Sequence, residues 1–218
     1  MSDDDLPDDS KLTKTKERWA ALGKFLTGHT ARPADERLPP GQHLVKNWPV
    51  LDLGQTPNVP KERWRLDVTG AIEKPLTWDW ATFSAQPQVR KTTDIHCVTT
   101  WSRYDNDWQG VSTRHLMEVA GVKDEAAFVI LTSNDGYTTN LPIADFASED
   151  ALLVHSWQGA PLTLEHGGPV RLVVPHLYFW KSAKWLSRVD FATRDHPGFW
   201  EVRGYHNYGD PWREQRYS

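Results

Sequence analysis

Cysteine is almost missing from this chain, which has a single thiol, Cys97, in 218 residues. One cysteine excludes an intramolecular disulfide framework, and the lack of repeated cysteine spacing removes the pattern a structural zinc site needs. Long apolar runs are absent as well. No stretch approaches the roughly 20 residues that cross a bilayer, and the opening MSDDDLPDDS has neither the basic flank nor the apolar run of an export signal. These absences predict a soluble, cytoplasmic protein with no integral membrane segment. An excess of positive charge is also missing. With 25 basic and 29 acidic side chains the formal net charge is -4, which offers no broad footprint for nucleic acid.

What the chain has in plenty is tryptophan, 12 residues spread from Trp19 to Trp212. Such rings pack cores and interfaces, with their indole N–H groups reaching for polar partners, and a minority line cofactors. Residues 1–10 are acidic and poor in apolar groups, so a flexible tail is expected there. Over 11–28, Leu12, Trp19, Leu22, Phe25 and Leu26 recur at helical spacing and Gly28 follows as a stop, which predicts an amphipathic helix. The remainder, 29–218, is expected to form one domain. Its first part carries Pro33, Pro39, Pro40, Pro49, Pro57 and Pro60, which remove backbone donors and favour extended structure.

Beyond Pro60, short β-prone runs dominate. Strands are predicted at 64–68, 90–95, 127–131, 152–156, 170–174 and 187–191, with 76–78 leading into a short helix near 79–84 and another short helix at 113–120. With no regular strand–helix alternation, the expected class is α+β, a strand-rich mixed sheet or barrel-like domain rather than a doubly wound parallel sheet.

Cys97 lies in DIHCVTTWS, just past a β-prone run. Local sequence leaves three readings open: an inert buried thiol, a nucleophile, or a soft ligand for a transition metal. Adjacent His96 is a poor base for a Cys97 nucleophile, because neighbouring side chains on a strand point to opposite faces. A cysteine hydrolase would need His155, His176 or another distant base.

The longer segment DIHCVTTWSRYDNDWQGV resembles that of the sulfite-oxidase-like molybdopterin oxidoreductases, where a strand delivers the ligand cysteine and a W-x-G-V turn follows, here Trp108 to Val111. LEHGGPVRLVVPHLYFWKSAKWLSRVDF is similar to that family's cofactor-binding stretch, and NDGYTTNLPIADF to its Tyr-x-x-x-x-Pro turn, with Tyr137 and Pro142 in those places. The resemblance runs from about Leu38 to about Tyr208 and fits compact, stand-alone members.

It implies the family's molybdopterin-binding fold and a molybdopterin cofactor whose molybdenum takes Cys97 as its protein sulfur ligand. It places Tyr137 beside the open side of the metal, and Arg171, Lys181, Ser182 and Lys184 on the phosphate and pterin. His166 matches a pterin-contacting position, and Asn47, His96 and Ser133 align as further cofactor contacts. The implied activity is oxygen-atom transfer to or from a small-molecule substrate, with a separate electron-transfer protein as redox partner. The alternative is a non-catalytic binding or assembly protein that retains the fold.

Two departures bear on substrate. Where sulfite oxidases place an arginine after the ligand cysteine, this chain has Trp101, and Arg103 is displaced. A rigid guanidinium cannot be assumed to reach the same pocket from there, which places sulfite in doubt. The C-V-x-x-W-S pattern occurs in the branch resembling bacterial methionine-sulfoxide reductases, whose members are exported.

Overall fold

The computed structural model describes residues 37–218. The acidic tail expected at 1–10 and the helix expected at 11–28 lie outside the described residues. Inside them the chain forms eleven strands and three α-helices: β1 His43–Leu44, β2 Arg65–Gly70, β3 Leu76–Asp79, α1 Trp80–Ala85, β4 Gln88–His96, β5 Trp101–Ser112, α2 Thr113–Ala120, β6 Phe128–Ser133, β7 Thr138–Pro142, α3 Ile143–Phe146, β8 Leu152–Trp157, β9 Ala160–Pro161, β10 Arg171–Val173 and β11 Leu186–Ala192. The strand-rich α+β class expected from the sequence is the class observed.

Two sheets share one buried core. In the first, β1, β5, β8 and β10 follow one another, β4 pairs with β5, and β9 pairs with β8. The second runs β3-β2-β11-β6-β7, with β2 and β11 parallel and the other pairs antiparallel. Alternation explains the second sheet: Leu66 and Val68 of β2, and Val129 and Leu131 of β6, are fully buried while their neighbours face outward. Each such aliphatic residue contributes about 1.5–3 kcal/mol by leaving water. The same alternation turns Ser133, the last residue of β6, inward.

The helices start and stop where local chemistry says they should. Asp79 caps α1 by accepting the Thr82 N–H at 2.8 Å. α2 ends at Gly121, whose φ of 61° is the left-handed turn that closes a helix C-terminus.

One expected element is absent in form. Trp108 to Val111 was expected as a turn, but it lies inside the twelve-residue strand β5. The pairing of β5 with β8 shifts register between Gln109 and Gly110, and a Cβ on Gly110 would sit 2.0 Å from the Leu153 carbonyl oxygen. The glycine marks a close strand approach with a bulge, which local sequence does not distinguish from a turn. Similarly, the turn expected from Tyr137 to Pro142 closes at Tyr137 itself, whose carbonyl accepts the Ser133 N–H, and the residues after it form β7.

Candidate functional site

Cys97 is the first residue of the hairpin loop joining β4 to β5. Its N–H donates to the Trp101 carbonyl at 2.8 Å, its carbonyl accepts the Thr100 N–H at 3.0 Å, and Thr100 turns the chain at φ 74°. A β-branched residue in that region is uncommon, so this loop is held tightly. Strand alternation sends Cys97 and His96 to opposite sides. Cys97 Sγ, 3.1 Å from Thr99 Oγ1, lines a cleft, whereas His96 faces away, bonding Ser102 Oγ through Nδ1 at 2.8 Å and meeting the ring of Trp212.

The cleft collects residues from distant parts of the chain. Of those expected from the sequence, it brings together Cys97, Ser133, Tyr137, His166, Arg171, Ser182 and Lys184. It leaves out Asn47, which is exposed, His96, and Lys181. Lys181 is wholly buried in an ion pair, with Nζ 2.6 Å from Glu201 Oε1 and further bonds to the main-chain carbonyl and Oδ1 of Asn140. Trp185 and Trp180 flank the run from Lys181 to Lys184. The two lysines nonetheless part company, because Lys181 closes a short 3₁₀ turn, Phe179–Lys181, that points it inward.

The cleft has a basic end and an aromatic end. At the basic end, Arg171 is 2 % exposed and donates through Nη1 to the His166 carbonyl at 2.9 Å, through Nη2 to the Ser182 carbonyl at 2.7 Å and through Nε to the Leu172 carbonyl. All three acceptors are neutral. Burial without an acid partner pulls its pKa down to about 9. Beside it His166 stacks on Trp48, ring centroids 3.9 Å apart and planes within 3°. Burial, then the nearby Arg171 and Lys184, push the His166 pKa down to about 4, so the imidazole is neutral.

At the other end Trp200 stacks on Tyr205 at 4.8 Å, Trp180 meets Tyr205 edge-on at 5.1 Å, and the electrostatic influence of Cys97 reaches the Tyr205 phenol. Tyr137 donates its hydroxyl to the Trp180 carbonyl at 2.6 Å, and burial, then Glu201, raises its pKa well above the ordinary phenol value. It is therefore a neutral phenol whose proton points at the main chain. Arg103 takes no part: it bonds the Lys46 carbonyl through Nε and lies over the Trp157 ring, outside the cleft.

Four buried polar atoms of the lining have no hydrogen-bond partner: Trp101 Nε1, Ser133 Oγ, His166 Nδ1 and the Tyr205 hydroxyl. A buried polar group left unpaired costs about 1–3 kcal/mol, so four in one cleft, beside a guanidinium without a carboxylate, mark a place built for a polar, anionic ligand. A pterin with a phosphate and a thiolate-bound metal has that chemistry, and the donor set fits it.

Several lining residues carried no local signal in the sequence. Trp48, Asp135, Trp180, Trp200 and Tyr205 are all part of the wall. Asp135 receives the Tyr137 N–H at 3.0 Å, and burial raises its pKa. Only the abundance of tryptophan hinted at such a wall, without saying which rings compose it.

Comparison with known proteins accords with this chemistry. A family model described as the oxidoreductase molybdopterin binding domain matches residues 53–200. The uncharacterized oxidoreductase YuiH of Bacillus subtilis is 49% identical over 183 residues, which cover 84% of this chain and 92% of that protein. The protein-methionine-sulfoxide reductase catalytic subunit MsrP of Campylobacter jejuni is 31% identical over 183 residues, covering 73% of this chain and 59% of the relative. The sulfane dehydrogenase SoxCD of Paracoccus pantotrophus shares the fold, with a TM-score of 0.60 at 22% identity over 72% of this chain and 46% of that one. Among the described residues no helix is long and apolar enough to cross a membrane.

Proposed function

Because this chain belongs to the family of oxidoreductases with a molybdopterin-binding domain, we propose that Cys97 ligates the molybdenum and that a small, neutral S-oxide exchanges its oxygen at the aromatic end of the cleft. The observation that carries the reading is the make-up of that end. Tyr137, Trp180, Trp200 and Tyr205 group there, with the influence of Cys97 reaching Tyr205, while the cleft's cations, Arg171 and Lys184, group with His166 at the other end.

An oxyanion such as sulfite calls for a cationic fork at the reacting centre. A neutral S-oxide calls instead for one donor to its oxygen and apolar contact for its carbons. Trp101 Nε1, in the same cleft wall, is a buried donor without a partner, and the rings of Trp180, Trp200 and Tyr205 supply the contact. The MsrP relative, by its name, reduces an S-oxide of methionine, which supports the same class here.

When bound, the cofactor supplies a metal that exchanges an oxygen atom and passes electrons onward. This chain's own residues do the rest. Arg171 and Lys184 meet the anionic part of the cofactor, Ser133 Oγ and His166 Nδ1 meet its polar ring edge, and Ser182 braces Arg171 through its carbonyl while its hydroxyl receives the Val174 N–H at 2.9 Å. The stacked rings keep bulk water from the sulfur centre. Tyr137 turns its proton from the Trp180 carbonyl to the substrate oxygen, giving up one hydrogen bond worth about 0.5–1.5 kcal/mol net and gaining another.

Reduction of an S-oxide to a thioether and water consumes two electrons and two protons, so a separate electron-transfer protein must supply the electrons. We assign residues 29–218 to one catalytic domain working in the cytoplasm. The experiment is metal analysis of protein made in a molybdopterin-competent host, paired with S-oxide-dependent oxidation of a reduced viologen dye. We expect about one molybdenum per chain, lost together with turnover in Cys97→Ser. Wild-type protein without metal, or metal content unchanged in the serine variant, would overturn the assignment and favour a non-catalytic scaffold.

A further inference from the structure

The loop that carries Cys97 is gripped by two side chains far from it in the sequence, one before it and one after. The Cys97 carbonyl accepts Gln42 Nε2 at 3.1 Å, and the Val98 carbonyl accepts Arg216 Nη1 at 2.8 Å. Both side chains are buried, at 5 % and 2 % exposed. Gln42 is itself oriented: its Oε1 accepts from Ser102 Oγ at 3.4 Å, the hydroxyl that also bonds His96. Arg216 reaches the Pro40 carbonyl through Nη2 at 3.3 Å and lies over the Tyr178 ring, 4.9 Å from its centroid.

Arg216 has no acid partner among the described residues. Its bonds go to two carbonyls, its Nε has no partner, and no ion pair involves it. A guanidinium buried among neutral acceptors costs several kcal/mol unless an anion within reach offsets it. Tyr178 and Tyr217 each sense both groups, Arg216 drawing their phenol pKa values down and Cys97 pushing them up, with Glu214 pushing Tyr178 up more than Cys97 does, so the cation and the sulfur lie about the same rings. A ligating cysteine is a thiolate.

We propose that Arg216 and Gln42 are positioning residues for the metal ligand: they fix the Cys97–Val98 peptide so that the sulfur stays aimed into the cleft, and Arg216 adds the buried positive charge that balances an anionic, sulfur-bound metal. The inference rests on Cys97 being the ligand. It also gives His96 a place it lacks in the cleft, as the outermost member of the chain His96–Ser102–Gln42 that ends on the Cys97 carbonyl.

Two readouts on purified holoenzyme test it: the rate of molybdenum loss during dialysis, and the midpoint potential of the metal from a spectroscopic titration. A nearby positive charge favours the electron-rich state, so Arg216→Met lowers the potential, and it speeds metal loss by about 10- to 100-fold, as expected when a partner of a ligand is removed. Arg216→Lys keeps the charge and restores the potential, with only part of the retention, because an ammonium cannot span both carbonyls. Gln42→Met speeds metal loss and leaves the potential in place. Weaker folding alone would not shift the potential.

Arg216→Met with wild-type potential and metal loss within about twofold of wild type would overturn the proposal. If that variant is insoluble, Gln42→Met and Arg216→Lys decide it by metal retention, with wild-type rates in both overturning it. A wild-type protein that never holds molybdenum would sink the proposed function instead, so the two failures are distinguishable.

Discussion

Lys181 Nζ and Glu201 Oε1 lie 2.6 Å apart, with both side chains closed off from solvent. Glu201 Oε1 also receives Trp180 Nε1 at 2.9 Å and Thr139 Oγ1 at 3.0 Å, so one carboxylate joins β7 to the segment that carries the cleft's aromatic wall. Burial lowers the Lys181 pKa and Glu201 works against that, the balance expected of a buried pair.

Breaking such a pair from one side leaves a buried charge uncompensated. Lys181→Met should therefore lose about 3–5 kcal/mol of stability, measured by chemical denaturation. Lys184, which lines the cleft and donates to the Glu165 carbonyl, should behave in the opposite way. Lys184→Met is expected to change stability by less than about 0.5 kcal/mol and to lower cofactor content. Equal stability losses in the two variants would contradict this division of labour.

Trp101 Nε1 is buried without a partner, so it costs stability in the resting protein and is available to a substrate oxygen. Trp101→Phe keeps most of the apolar surface and removes the donor. Stability should hold or rise by up to about 1 kcal/mol, while kcat/KM for a small S-oxide falls by about tenfold or more. Steady-state kinetics beside a thermal melt check both halves, and a fall in stability with unchanged kinetics would mean that the indole serves packing alone.

Burial drives two histidines, His96 and His166, down to about 4 from the ordinary 6.5. Both are neutral in the folded state at pH 7. Between pH 6.5 and 4 the unfolded chain binds more protons than the folded one, so stability is full above about pH 6.5 and falls progressively as the pH drops toward 4. Burial lowers His155 and His206 as well, so several groups share the decline, and His166→Asn removes one of the two most strongly shifted and should flatten it. Unfolding midpoints from pH 7.5 to about 4.5 at constant ionic strength read the slope directly, and identical slopes in both proteins would show that His166 does not contribute.

Much of the fold was legible because its signals are local. Alternation at Leu66 and Val68 depends on neighbours a few residues away, and the helix expected at 113–120 is the one observed. β5 was not legible. Its inward positions include Ser102 and Asn106, polar residues satisfied by His96 and Thr93 of β4, so the apolar period that announces a strand is interrupted. The bulge at Gly110, set by the approach of β8, then looked like a turn.

The sequence by itself determined which groups the chain has to offer: one soft sulfur, a basic run from Arg171 to Lys184, and Trp101 in the place where the sulfite oxidases it resembles would have an arginine. Tertiary structure decided which of those groups meet. It set Arg171 and Lys184 in the cleft and Lys181 in an ion pair, turned His96 away from Cys97, and brought Gln42 and Arg216, 174 positions apart by their numbers (216 − 42), onto one loop. Composition and spacing fix what a side chain is able to do, but direction and burial arise from contacts between residues far apart in the chain, and no local pattern encodes them.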